Sequence, residues 1–156
     1  MKAIAVAGLL GLTILVTGCA TQDEKRDVEK KVQAETPVAQ DESFANRGAN
    51  IFLKAQNLSE EQREQLMLIH TSTFEKTARL RDEITKTKSA LFKTVVNPKA
   101  SPKEISMMKN RIVKLDRERL DVMLSAFDEV QKVMGRNQPM DPNIFEPFMS
   151  MDGERR

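Results

Sequence analysis

Between residues 59 and 96 the chain contains neither proline nor glycine, and helix punctuation stands at both ends of that stretch. Ser59, followed three residues later by Gln62, has the pattern of a capping box, in which side chains satisfy N–H groups left free by the first turn. Glu60 and Glu61 put negative charge at the positive end of the helix dipole. Asn97-Pro98 stops the run. The stretch predicts one uninterrupted helix of about 55 Å. Ser101-Pro102-Lys103-Glu104 repeats the opening signals, with an N-cap, a proline at the first helical position and a second capping box. Nothing breaks the chain again before Gly135, a natural C-terminal cap. Two long helices joined by so short a turn pack as antiparallel neighbours. The expected fold is all-α, a long antiparallel helical hairpin.

Apolar spacing gives each helix an inward stripe. In the first it comprises Leu66, Ile69, Leu80, Ile84, Leu91 and Val95, with Thr73, Thr77 and Thr87 between; in the second, Ile105, Met108, Ile112, Leu115, Val122, Ala126, Val130 and Val133. The absence of Trp and Tyr and the scarcity of glycine argue against a β-sandwich or a nucleotide-binding α/β fold. The hairpin domain is assigned to residues 43–135 and includes a short preceding helix carrying Phe44, Ile51, Phe52 and Leu53. Residues 19–42, charged and small with almost nothing to bury, read as a flexible tether. Residues 136–156, with Pro139, Pro142 and Pro147, read as an irregular tail.

A second stripe makes the hairpin wider than one seam requires. Met67, Phe74, Ala78, Phe92 and Val96 flank the first helix, in line with Arg81, Thr85 and Lys88; Val113, Leu120, Leu124 and Phe127 flank the second. Two helices cannot bury both stripes against each other. A second copy in a homodimer, the Phe44 segment or a client must cover the second one. Charge is uneven as well. Residues 76–119 hold 13 Lys and Arg against 5 Asp and Glu, whereas the rest of the chain from Cys19 holds 11 against 18. The turn end is basic and suits acidic protein segments or anionic lipid and polysaccharide. No stacking aromatics interleave with the cations, so nucleic acid is not an expected partner.

The only cysteine, Cys19, follows Met1-Lys2 and an apolar run shorter than a membrane-spanning helix requires. One cysteine cannot form a disulfide within the chain. Val16-Thr17-Gly18-Cys19 resembles the lipobox of bacterial lipoproteins. The resemblance implies that residues 1–18 are a signal peptide and that Cys19 is the site of lipid attachment and the first residue of the mature chain. Ala20, in place of the aspartate that marks inner-membrane retention in that family, implies the periplasmic face of the outer membrane. Several acyl chains would then anchor the protein stably.

Leu58, Ser59 and Gln62, within Leu58-Ser59-Glu60-Glu61-Gln62, resemble the LTxxQ motif of the Spy/CpxP family of periplasmic helical proteins, with serine in place of threonine. The resemblance extends over residues 44–134. It implies a cradle built from a dimer of hairpins and a role as an ATP-independent chaperone, stress-response regulator or heavy-metal sensor. The family's second motif, near the end of the second long helix, has no match at Leu124-Ser125. A chaperone without ATP needs charge for capture and scattered apolar groups for retention. Arg81, Lys88, Lys109 and Arg117 are the candidates for capture, and Met67, Phe74, Phe92 and Leu120 for retention.

Other chemistries have little to stand on. There is no Gly-rich phosphate loop, nucleophile elbow or metalloprotease helix motif, so no enzyme is expected. His70 is the only histidine, and Met140, Met149 and Met151 read as gap-fillers before soft-metal ligands. Neither metal nor cofactor is expected. The leading expectation is a membrane-anchored chaperone or envelope-stress adaptor for unfolded or partner proteins. The alternatives are a structural envelope lipoprotein within a multiprotein complex and a metal-responsive protein.

Overall fold

The structure, a computed structural model, describes residues 21–37, 49–135 and 142–149. Residues 1–18, expected to be a signal peptide, lie outside the described residues, as do Cys19, Phe44, Met140 and Met151. The described residues form five α-helices: α1 (Gln22–Gln33), α2 (residues 49–54), α3 (Glu60–Val95), α4 (Pro102–Met134) and α5 (Glu146–Met149), the last continuing a 3₁₀ turn over Pro142–Phe145. The fold is an all-helical hairpin of α3 and α4, preceded by a short helix.

Both ends of α3 follow from its punctuation. The Ser59 hydroxyl accepts from the Gln62 N–H (3.1 Å), and the Gln62 side chain accepts from the Ser59 N–H (3.0 Å). At the turn, the Asn97 side chain accepts from the Lys99 N–H, and the Ala100 N–H returns to the Asn97 carbonyl. Pro102 opens α4 behind the Ser101 cap. The second capping box is not the arrangement found. Ser101 accepts from the Lys103 N–H, and Glu104 turns instead to an ion pair with Lys31 of a neighbouring helix. Gly135 closes α4 at φ +76°, a conformation side chains disfavour.

The seam of α3 repeats every seven residues, through His70, Thr77, Ile84 and Leu91 and through Leu66, Thr73, Leu80, Thr87 and Thr94. A seven-residue period keeps one face of a helix turned toward its partner along its whole length. The threonines stand in the seam itself, where Thr73, Thr77, Thr87 and Thr94 are buried. Three of their hydroxyls donate to the carbonyl four residues back (Thr73 to Ile69, 2.7 Å; Thr77 to Thr73, 2.8 Å; Thr87 to Glu83, 2.7 Å), so burial leaves none of those three unsatisfied. Val95, expected on the stripe, is exposed, and Thr94 takes the inward place. On α4, Met108, Leu115, Met123, Ala126, Val130 and Met134 are buried.

Two segments depart from the sequence reading, and both cover the hairpin. Residues 22–33, expected within the tether, form α1, which packs on α3 and α4 at the turn end. Thr21 and Glu24 make a capping box, Asp23 and Glu24 occupy the first turn, Lys30 and Lys31 the last, and Val28 and Val32 stand one turn apart on the inner face. They bury against Ala90 and Met108, flanked by Leu91 and Met107. Each buried valine contributes about 1.5–3 kcal/mol, enough to fix a helix that is marginal on its own at this length. At the open end, residues 142–149 of the expected irregular tail return to the hairpin. Ile144 and Phe148 join Phe52, Leu58, Leu66 and Phe74 in one apolar core.

Candidate functional site

The open end is locked by the motif residues. Gln62 closes the α3 capping box with its side-chain oxygen, and its Nε2 donates to the Val133 carbonyl at 3.2 Å. Val133 is in the last turn of α4, where carbonyls lack an intrahelical partner. The amide thus joins the start of one long helix to the end of the other. Arg63, which the sequence reading passed over, donates to the carbonyls of Phe52 (3.0 Å) and Ala55 (3.1 Å), clamping the last turn of α2. Leu58 is buried beneath them. The local signal for Arg63 was its place directly after the motif, but its targets are visible only in the fold.

His70 sits inside this end rather than on a surface. Its ring meets Phe52 and Phe148 edge-on, each at 5.7 Å. Burial pushes its pKa below the ordinary histidine value. The neutral imidazole acts here as a packing group.

At the turn end, α1 rests in a seat whose floor is apolar and whose rim is basic. Glu24 pairs with Lys103 at 2.7 Å, Glu35 with Lys93 at 2.8 Å and with the Ser89 hydroxyl at 2.6 Å, and Glu29 with Arg111, which also reaches Glu83 at 3.2 Å. Lys31 and Glu104 form one pair of reversed polarity. Three of these carboxyls, two on α1 and one just past its C-cap, are held below their ordinary pKa: Glu24 by its bond with Lys103, Glu29 by the Gln33 amide and then Arg111, and Glu35 by Lys93 and then Ser89. Part of the basic charge read from the sequence is therefore met within the chain. Two clefts of about 360 and 270 Å³ run beside the seated helix, one lined by Glu24, Asp27 and Ser101, the other by Ala34, Ala90 and Asn97.

No described residue covers the opposite side of the turn half. Ala90 contacts α1, and residues two positions away lie about 200° round the helix, which turns Lys88 and Phe92 to the far side. The same step from Arg111 on α4 turns Lys109 and Val113 that way, with Arg117, Leu120 and Leu124 continuing the line. Phe92 is 72% exposed, Val96 80%, Val113 61%, Leu120 50% and Leu124 49%. Lys88, Lys109 and Arg117 are exposed among them, and Arg81 is half-buried at the edge. Single exposed apolar residues are ordinary; a run of five on adjoining helices is not.

Two expected retention residues are elsewhere. Phe74 is buried in the open-end core, and Met67 is half-buried against it, because α2 and the C-terminal segment cover that half of the second stripe. The structure therefore places Lys88, Phe92, Lys109, Arg117 and Leu120 along one face of the hairpin and removes Phe74 and Met67 from the surface site. Among the described residues no group of three or more His, Cys, Asp or Glu converges as a metal site, and no helix is long and apolar enough to cross a membrane. No protein-family model matches this chain, and neither a curated protein nor a solved structure shows significant similarity to it.

Proposed function

We propose that this protein is a lipid-anchored periplasmic chaperone or envelope-stress adaptor, similar in action to the Spy/CpxP family, that holds unfolded or partner proteins without ATP. The observation that carries this reading is the uncovered face of the turn half, where Phe92, Val96, Val113, Leu120 and Leu124 alternate with Lys88, Lys109 and Arg117. Exposed cations attract an acidic client at long range, and their pull weakens as salt shortens the Debye length. Scattered apolar side chains then retain exposed apolar segments of the client by contact that needs no defined shape. Release follows when the client buries those segments in its own core, so no nucleotide is required.

In this account Cys19 carries the lipid on the periplasmic face of the outer membrane, and a second copy shares the uncovered face in a homodimer when no client is present. The test is light scattering of several unrelated aggregating clients with the mature chain at low and high salt. Suppression of all of them, with capture slowed by salt, is the expected result. A chain that suppresses none and copurifies with one fixed envelope partner is instead a structural lipoprotein.

A further inference from the structure

We infer that the seat beneath α1 is an exchangeable docking groove for acidic amphipathic helices, and that α1 is its resident occupant. This groove is separate from the uncovered face, so it stands or falls independently of the chaperone reading. The chemistry of its occupant is written in the contacts of α1. Two apolar side chains four residues apart, Val28 and Val32, fill the floor over Ala90 and Met108. Carboxylates before, between and after them, at Glu24, Glu29 and Glu35, meet Lys103, Arg111 and Lys93. Complementarity of this kind selects by charge and spacing, and an apolar pair at i and i+4 flanked by acids describes many helices besides α1.

Three observations point to exchange rather than permanent seating. Only two residues of α1 are buried, whereas the open-end core gathers nine. The ion pairs that hold the helix have partly exposed members, the kind that contribute least and that salt screens. The fit is also incomplete: clefts of about 360 and 270 Å³ flank the helix, and the Nε of Arg111 is buried without a hydrogen-bond partner among the described residues while its other nitrogens reach Glu29 and Glu83. A helix with longer apolar side chains or a better-placed carboxylate would fill what α1 leaves open. Its covalent link to the hairpin gives α1 a high effective concentration, so a free helix competes only when α1 is loosened.

The test uses the full mature chain and a fluorescein-labelled synthetic peptide of residues 20–37, read by fluorescence anisotropy. In the chain, Val32→Asp unseats α1 while leaving the groove residues unchanged; the peptide keeps the native sequence. The unseated chain is expected to bind the peptide at least tenfold more tightly than the wild-type chain. Binding should weaken as salt rises, and it should be lost when Arg111→Glu is added or when Val28 and Val32 of the peptide become serine. Glu29→Lys, which loosens α1 without placing a charge over the floor, is the second variant and should act in the same direction. Circular dichroism confirms that both variants keep their helices; should Val32→Asp unfold the hairpin, Glu29→Lys alone decides. Equal peptide affinity in wild-type and loosened chains, or no binding to either, overturns the proposal. Client aggregation assays do not enter this result, so a failed chaperone reading would leave it intact, and the reverse.

Discussion

Replacing Gln62 by glutamate separates the two halves of its role. A carboxylate still accepts from the Ser59 N–H, but it has no proton for the Val133 carbonyl and faces the negative end of α4. Gln62→Glu should therefore cost about 1–2 kcal/mol in urea unfolding, on the scale of one hydrogen bond plus an unmet acceptor. Gln62→Ala loses the capping box as well and should cost more. Phe74→Ala, in the open-end core, should cost about 3–5 kcal/mol, the range for large-to-small changes in a core. His70 gives a pH signature. Its folded pKa lies below the ordinary value of 6.5, so the unfolded chain takes up the proton first. Its contribution is complete above about pH 6.5 and declines as pH falls below it, whereas His70→Leu should remove this slope from the stability profile. Phe74 was not legible as core, because its burial depends on Phe148 and Ile144 arriving from the far end of the chain.

Among the elements, α1 is the most exposed to its surroundings. Its two glutamates, Glu24 and Glu29, and Glu35 just beyond its C-cap have folded pKa values below the ordinary 4.5, so the stability they lend is present above that value and is lost as pH falls through the depressed range. Hydrogen exchange should show α1 opening in mild acid or high salt while α3 remains protected, and Val32→Asp should reproduce the opening at neutral pH. Both long helices were readable because proline, glycine and N-caps mark their ends and an apolar stripe runs along their length. α1 was missed for a physical reason. Two valines in a charged run look like solvated spacer until a hairpin supplies the floor that buries them, although Thr21-x-x-Glu24 repeats the cap logic of Ser59-x-x-Gln62. The C-terminal turn was missed likewise: Ile144 and Phe148 are ordered by the cavity they enter, not by local propensity.

At the scale of the molecule, the hairpin is covered on one flank at its open end and on the other at its turn end. Among the described residues, what remains is an uncovered basic and apolar face, and the proposed function rests on it. The proposed lipid anchor belongs to this scale too: Cys19→Ala should yield an unlipidated, mislocalised precursor by mass spectrometry, because the chain has no other cysteine to acylate. The most direct measurement is suppression of aggregation of unrelated unfolded clients by the mature chain beside Phe92→Ser/Leu120→Ser and Lys88→Glu/Arg117→Glu variants of equal melting temperature. The account predicts that the first variant captures clients but fails to retain them, and that the second captures acidic clients slowly even at low salt. Full protection by both variants, or no protection by the wild-type chain, would contradict it.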